Sequence, residues 1–144
     1  MKKISAILAR KGTDAISVTP GTTVLDALKI MAEKNIGSVV VSENGNYLGL
    51  ITERDYSRKV ILKGKHSSDT PVSEIMSSDL PPISPNDTID QCMSLMTTQN
   101  IRYLPVFENN KLAGIISMSD VVKETIIAQR ETISHLENYI QGQG

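Results

Sequence analysis

The sequence predicts a mixed α/β (α+β) fold made of two copies of one β-α-β-β-α unit, with a helix leading the pair and a helix trailing it. The first observation behind this is a repeat: Pro20, Met31, Asn35, Gly49 and Asp55 recur as Pro85, Met96, Asn100, Gly114 and Asp120, each 65 residues on. Thr23, Ile36, Val41, Glu43, Asn44 and Ile51 recur at the same spacing, as Thr88, Ile101, Val106, Glu108, Asn109 and Ile116, and chance rarely keeps one register so long. The second is a doubled motif, Gly49-Leu50-Ile51-Thr52-Glu53-Arg54-Asp55 and Gly114-Ile115-Ile116-Ser117-Met118-Ser119-Asp120. In both, a β-branched apolar run ends in a hydroxyl residue followed three positions later by an aspartate, and the residues after it read as helix.

The elements follow in order. Ile4, Ile7 and Leu8 mark one face of a short leading helix that stops near Gly12. Ala15 to Thr19 reads as a strand, with Pro20-Gly21 as its turn. Thr23 with Asp26 opens a helix whose apolar residues Val24, Ala27, Leu28 and Met31 keep helical spacing as far as Asn35. Ser38 to Val41 and Tyr47 to Ile51 are strands joined through Glu43-Asn44-Gly45-Asn46, where Asn-Gly is a hairpin signal. A helix after Asp55 runs through Val60 to about Leu62. The second copy gives a strand at Pro82 to Ser84, a helix opened by a Thr88–Gln91 capping box, strands at Tyr103 to Phe107 and Leu112 to Ile116, and a helix from about Met118. Between the copies, Lys63 to Pro71 is polar and rich in turn residues, and Val72 to Met76 echoes the leading helix. Each half alone would expose a face of its small sheet, so the halves are expected to share one core as one domain.

Composition sets the bounds. The 144 residues suffice for one well-buried domain, and a net charge of −1 gives no reason to expect nucleic acid or an anionic membrane as partner. The lone Cys92 excludes an internal disulfide and reads as a buried structural thiol in a reducing compartment. Met1-Lys2-Lys3 and the apolar residues after it imitate a signal peptide, but Arg10-Lys11-Gly12 interrupts them; no segment reaches membrane-spanning length. A soluble, cytoplasmic chain is expected.

The doubled motif sets a hydroxyl and a carboxylate at a helix N-terminus, where unpaired N–H groups and the dipole attract phosphate. The aspartate can accept two hydrogen bonds from a vicinal diol. Phosphate and cis-diol together describe a ribonucleotide. The same spacing is also that of a capping box, with Asp for the usual Glu or Gln, and that purely structural reading applies to both copies.

Two β-α-β-β-α units whose strands end Gly-apolar-Ile-(Thr/Ser)-x-x-Asp resemble a pair of cystathionine-β-synthase (CBS) domains, a Bateman module. The resemblance spans nearly all of 1–144: repeat 1 at 13–63, a linker and short helix at 64–77, repeat 2 at 78–127 and a C-terminal helical extension at 128–144. It is closer to stand-alone CBS-pair proteins of bacteria and plant organelles, which share Ile51-Thr52-Glu53-Arg54-Asp55-Tyr56-Ser57-Arg58-Lys59, Ile101-Arg102-Tyr103-Leu104-Pro105-Val106 and Leu136-Glu137-Asn138-Tyr139-Ile140-Gln141-Gly142.

The resemblance implies adenine-nucleotide binding in clefts between paired domains, with AMP, ATP, NAD or NADH as ligand and no catalytic cofactor. On this chain Asp55 and Asp120 would hold ribose hydroxyls, and Thr52 and Ser117 ribose or phosphate. Val18-Thr19 and Ile83-Ser84, with Ile36-Gly37-Ser38 and Arg102-Tyr103-Leu104-Pro105, would line the adenine pockets. Arg54, Arg58 and Lys59 place cations around the first helix start, fitting a polyphosphate or pyrophosphate; Met118 and Ser119 stand there in the second half, with Arg102 within reach of a phosphate. The purely structural alternative for those cations is a solvated helix face, and for Tyr103 an ordinary strand aromatic.

No catalysis is expected. His66 and His135 lack metal-ligand spacing to each other or to Cys92; the chain contains no Walker sequence, Gly-x-Gly-x-x-Gly fingerprint or nucleophile paired with a base. Val122, Ile126, Ile133, Leu136 and Ile140 form a stripe on the last helix that something must cover, and a homodimer is expected to do so. The leading reading is an adenine-nucleotide sensor acting on a separate protein; plant relatives act on thioredoxin systems, which makes a redox protein one candidate partner. The alternative is a ligand-independent dimeric interaction scaffold in which both motifs are merely caps.

Overall fold

In the computed structural model, which describes residues 2–142, helices and strands follow the patterning of the sequence. The elements are α1 (Ile4–Lys11), β1 (Ser17–Val18), α2 (Val24–Lys34), β2 (Ser38–Glu43), β3 (Asn46–Thr52), α3 (Glu53–Lys59), α4 (Ile89–Gln99), β4 (Tyr103–Glu108), β5 (Lys111–Ser117) and α5 (Met118–Ile140), with 3-10 turns at Ile61–Lys63 and Val72–Glu74. β1 pairs parallel to β2, β2 pairs antiparallel to β3, and β4 and β5 form a second sheet.

The caps explain the boundaries. Thr23, Thr52, Thr88 and Ser117 each accept the N–H three residues on, so a hydroxyl replaces the missing helical acceptor at α2, α3, α4 and α5. Asn35 and Asn100 end α2 and α4 in the left-handed region, with φ near 55° in both. Asn44 and Gly45, at φ 53° and 79°, make the turn between β2 and β3.

Two expected strands are shorter than read. β1 keeps only Ser17–Val18, because its ladder is limited to Ser17 opposite Val40 and Val18 opposite Val41. At Pro82 to Ser84 only the bridge between Ile83 and Val106 survives, since Pro81, Pro82 and Pro85 bring no N–H to a ladder. The helix expected after Asp55 begins earlier, at Glu53, because Thr52 is both the last strand residue and the cap; it ends at Lys59, and beyond Val60 the chain tightens into the 3-10 turn over Ile61–Lys63.

The chain divides into two units. The first contains Met1–Thr13, Pro82–Glu108 and Ala113–Gly144; the second contains Asp14–Pro81 and Asn109–Leu112. Each has its own apolar cluster. In the first, Ile4, Ile7 and Leu8 of α1 meet Cys92, Met96, Leu104, Ile116 and Val121; in the second, Val24, Ala27 and Met31 meet Val39, Val41, Ile51, Val72 and Ile75. Burial and the charge of Asp87 push the Cys92 thiol up to about 11, so the side chain behaves as a small apolar group.

The leading helix therefore belongs with the second repeat, and the stretch before that repeat belongs with the first. Within the first unit, the Ile89 N–H donates to Lys2 O at 3.1 Å; within the second, the Val24 N–H donates to Thr70 O at 2.8 Å and the Leu25 N–H to Ser67 O at 3.0 Å. Each preceding segment thus satisfies a helix start that its own turn cannot.

An ion pair with one buried member, Glu124, and one exposed member, Arg10, fixes α1 on α5. Arg10 donates from Nε to Glu124 Oε2 at 3.0 Å and from Nη2 to Oε1 at 3.1 Å, while Lys2 lies 3.7 Å from Oε1. The Glu124 side chain is only 2% exposed. The Arg10 hydrogen bond holds its carboxyl below the usual carboxylate range, against the opposing push of burial, and the charges of Arg10 and Lys2 add to the downward shift. A folded pKa below the unfolded one makes the pair's contribution fully present above about pH 4.3 and lost as pH falls through the folded value. The melting-temperature gap between wild type and Arg10→Met is therefore expected to be wide near neutrality and to narrow below about pH 4. A gap that stays constant down to about pH 3 contradicts this account.

Candidate functional site

The two motif copies fold alike at the backbone. In the second unit, the N–H of Glu53 donates to Gly37 O at 3.3 Å, the N–H of Asp55 donates to Thr52 Oγ1 at 3.1 Å and the N–H of Thr52 donates to Asp55 Oδ2 at 3.0 Å. In the first unit, the N–H of Met118 donates to Arg102 O at 2.8 Å, the N–H of Asp120 to Ser117 Oγ at 3.1 Å and the N–H of Ser117 to Asp120 Oδ2 at 2.9 Å. Both copies are thus reciprocal capping boxes, the structural reading realised in full. They also hold each carboxylate at the base of its helix.

The carboxylates differ in what else they accept. Asp55 takes the Thr52 hydroxyl on Oδ2 at 3.0 Å, and on Oδ1 the Ser77 hydroxyl at 3.0 Å and the Lys59 ammonium at 2.9 Å. Ser77 is placed there because it bridges to Leu50 of β3 through paired backbone bonds of 2.9 and 2.8 Å. With the Thr52 N–H, Asp55 accepts four bonds, about the capacity of a carboxylate, and its side chain is 8% exposed. Asp120 accepts the Ser117 N–H and the Lys11 ammonium, at 2.9 and 2.8 Å, both on Oδ2. Oδ1 takes neither, and the side chain is 21% exposed.

Several sequence expectations change here. Lys59, expected to face a phosphate, is engaged with Asp55 and with Ile75 O at 2.9 Å. Arg58 is exposed on α3 and Arg54 is half-buried. Val18 sits opposite Val41, whereas Ser38 sits opposite Thr52, so Val18 and Thr19 lie towards the far end of β2 from the motif; the Thr19 hydroxyl meets that of Thr22 at 3.2 Å. Gly37 and Ser38 do come to the motif, next to Ile36, which packs partly on the core. In the first unit Arg102 is exposed and its carbonyl reaches the start of α5; Tyr103 is half-buried beside it, and Ser119 is exposed on the first turn of α5. Ile83 bonds to β4 through Pro105 O and the Phe107 N–H, at 3.0 and 2.8 Å. The side chains of Leu104 and Ile83 belong to the core cluster, because strand alternation turns Leu104 away from the face of its neighbours Tyr103 and Pro105.

Sequence reasoning missed Lys11 and Ser77. Both come from the segment preceding a repeat, and Lys11 is 109 positions from its carboxylate. A groove of about 480 Å³ elsewhere in the first unit is lined by Lys2, Ile89, Glu124, Ala128 and Ile133 among others, and none of the expected site residues faces it. Among the described residues, no group of three or more His, Cys, Asp or Glu could hold a metal ion, and no helix is long and apolar enough to cross a membrane.

Two such units, each a small sheet leading through a hydroxyl-capped turn into a helix, define a tandem CBS-domain protein, and the chain belongs to the CBS domain family. The family's profile matches residues 5–61 and 72–126. The chain is similar to the mitochondrial CBS domain-containing protein CBSX3 of Arabidopsis thaliana, 37% identical over 96% of this chain and 72% of that one. Among solved structures it is similar to a CBS-domain protein from Burkholderia ambifaria, with 41% identity, a TM-score of 0.85 and coverage of 89% and 96%. It is also similar to a hexameric CBS-CP12 protein from bloom-forming cyanobacteria, with 26% identity, a TM-score of 0.72 and coverage of 94% and 86%.

Proposed function

We propose that this chain is a non-catalytic regulatory module that binds an adenine nucleotide, AMP, NAD(H) or ATP, and acts on a separate partner protein. The observation that carries the reading is the Asp120 carboxylate, fixed at the start of α5 with Oδ1 outside its two bonds, so a ribose diol can be accepted without breaking either. A ligand biases such a module only by binding one conformation more tightly than another, and the output passes to the partner, with a redox protein as one candidate. The cytoplasm is the expected compartment.

The test is a thermal-shift and calorimetric titration of wild type, Asp55→Ala and Asp120→Ala with AMP, ATP, NAD, NADH and S-adenosylmethionine. At a hundred times its dissociation constant a ligand stabilises the fold by about 2.7 kcal/mol. Wild type is expected to respond to at least one ligand and Asp120→Ala to lose that response. A protein stripped of co-purified nucleotide that responds to none of them overturns the reading.

A second reading, a ligand-independent dimeric interaction scaffold, is favoured by one observation. Val122, Ile126, Ile133, Leu136 and Ile140 are all exposed on α5, from 43% to 80%. We place a homodimer contact on that stripe under either reading. Light scattering on the same samples is expected to give twice the chain mass, and a monomer at micromolar concentration removes the dimer.

A further inference from the structure

We propose that Lys11 is the phosphate-recognising and selectivity-determining residue of the Asp120 site, contributed by the leading helix to a motif more than a hundred residues away. This deepens the nucleotide reading and rests on it. At the 65-residue spacing Arg54 and Lys59 of the first motif become Ser119 and Glu124 in the second, and Arg58 becomes Lys123 on the second turn of α5, so the first turn of α5 carries no cation of its own. α1 supplies one. Lys11 is its last residue, Gly12 turns the chain away at φ 90°, and the Arg10–Glu124 pair holds the same helix end on α5.

The ammonium stands 2.8 Å from Asp120 Oδ2 and 2.9 Å from Ile115 O. An ammonium has three N–H donors, so two are used and a third is left. With the Lys11 side chain 40% exposed, that donor is accessible to an anion. A diol on Oδ1 and a phosphate on Nζ can therefore be held together without dismantling the resting contacts, a combination a nucleoside monophosphate meets and a nucleoside does not. The corresponding segment of the second unit brings the neutral Ser77 to Asp55, and there the Lys59 ammonium on the carboxylate is also tied to Ile75 O. The two motifs are thus unequal. The Asp120 site is built for a phosphorylated ligand, and Asp55 is engaged in holding its own unit together.

An exposed ion pair contributes little to stability, so removing Lys11 should leave the fold intact. Calorimetric titrations with AMP and adenosine would compare wild type, Lys11→Met, Lys11→Arg and Arg130→Met, the last removing a charge from the exposed surface of α5 well beyond its first turns. Lys11→Met is expected to weaken AMP about tenfold or more while leaving adenosine nearly unchanged, with Lys11→Arg restoring most of the loss and Arg130→Met matching wild type. Unchanged AMP affinity in Lys11→Met, or equal losses for AMP and adenosine, overturns the assignment to Lys11 alone. If wild type binds neither compound, the assignment to Lys11 falls, and the nucleotide reading stands or falls separately on the titrations with ATP, NAD and NADH.

Discussion

Leu104→Ala is expected to destabilise the protein by about 2–5 kcal/mol, read as a lower denaturant midpoint with an unchanged slope. Leu104 is 0% exposed and packs in the cluster that α1, α4, β5 and α5 build around it, with Ile4, Met96, Ile116 and Val121 among its members. Truncation removes apolar contact and leaves a cavity that neighbours on four fixed elements cannot close, so the cost exceeds simple transfer. The alternative expectation from sequence was a residue lining an adenine pocket, and it predicts the reverse pattern: little loss of stability and a weaker nucleotide response. An unfolding free energy within about 0.5 kcal/mol of wild type, together with lost binding, would return Leu104 to the site.

That contrast shows what the sequence carries. Element types were legible because local chemistry decides them: Thr52, Thr88 and Ser117 cap their helices wherever those helices end up, and Asn44-Gly45 turns regardless of its surroundings. The repeat placed Asp55 and Asp120 in equivalent backbone settings, and the bonds from Glu53 to Gly37 and from Met118 to Arg102 reproduce that equivalence. Side-chain partners were not legible. From sequence, Arg102-Tyr103-Leu104-Pro105 reads as one lining segment, although adjacent strand residues face opposite sides and Leu104 goes inward. The difference between the two aspartates was hidden more deeply. It comes from the segments that precede the repeats, where α1 continues through Lys11 and its counterpart is a 3-10 turn over Val72–Glu74 followed by Ser77. Sequence spacing within a repeat holds no record of which preceding segment lies against it.

Gly49→Ala tests that preceding segment directly. Gly49 and Gly114 are equivalent by the repeat, but a methyl group at Gly49 would stand 2.9 Å from the backbone oxygen of Ser77 and 3.1 Å from Cγ and Sδ of Met76. At Gly114 the nearest atom is Leu8 Cδ2 at 2.8 Å, the far end of a side chain, and no backbone atom comes nearer than 3.9 Å. Backbone cannot yield so cheaply. Ser77 is bound to Leu50 through both its N–H and its carbonyl, and its hydroxyl donates to Asp55. Displacing it weakens three bonds at once. Gly49→Ala is therefore expected to cost about 1–3 kcal/mol, and Gly114→Ala less than about 1 kcal/mol, in paired denaturant melts. In hydrogen exchange the Leu50 and Ser77 amides should lose protection in Gly49→Ala, while amides of α1 and α5 keep theirs. Equal costs at the two glycines would mean that Ser77 is not held against β3, and the four-bond saturation of Asp55 would fall with it.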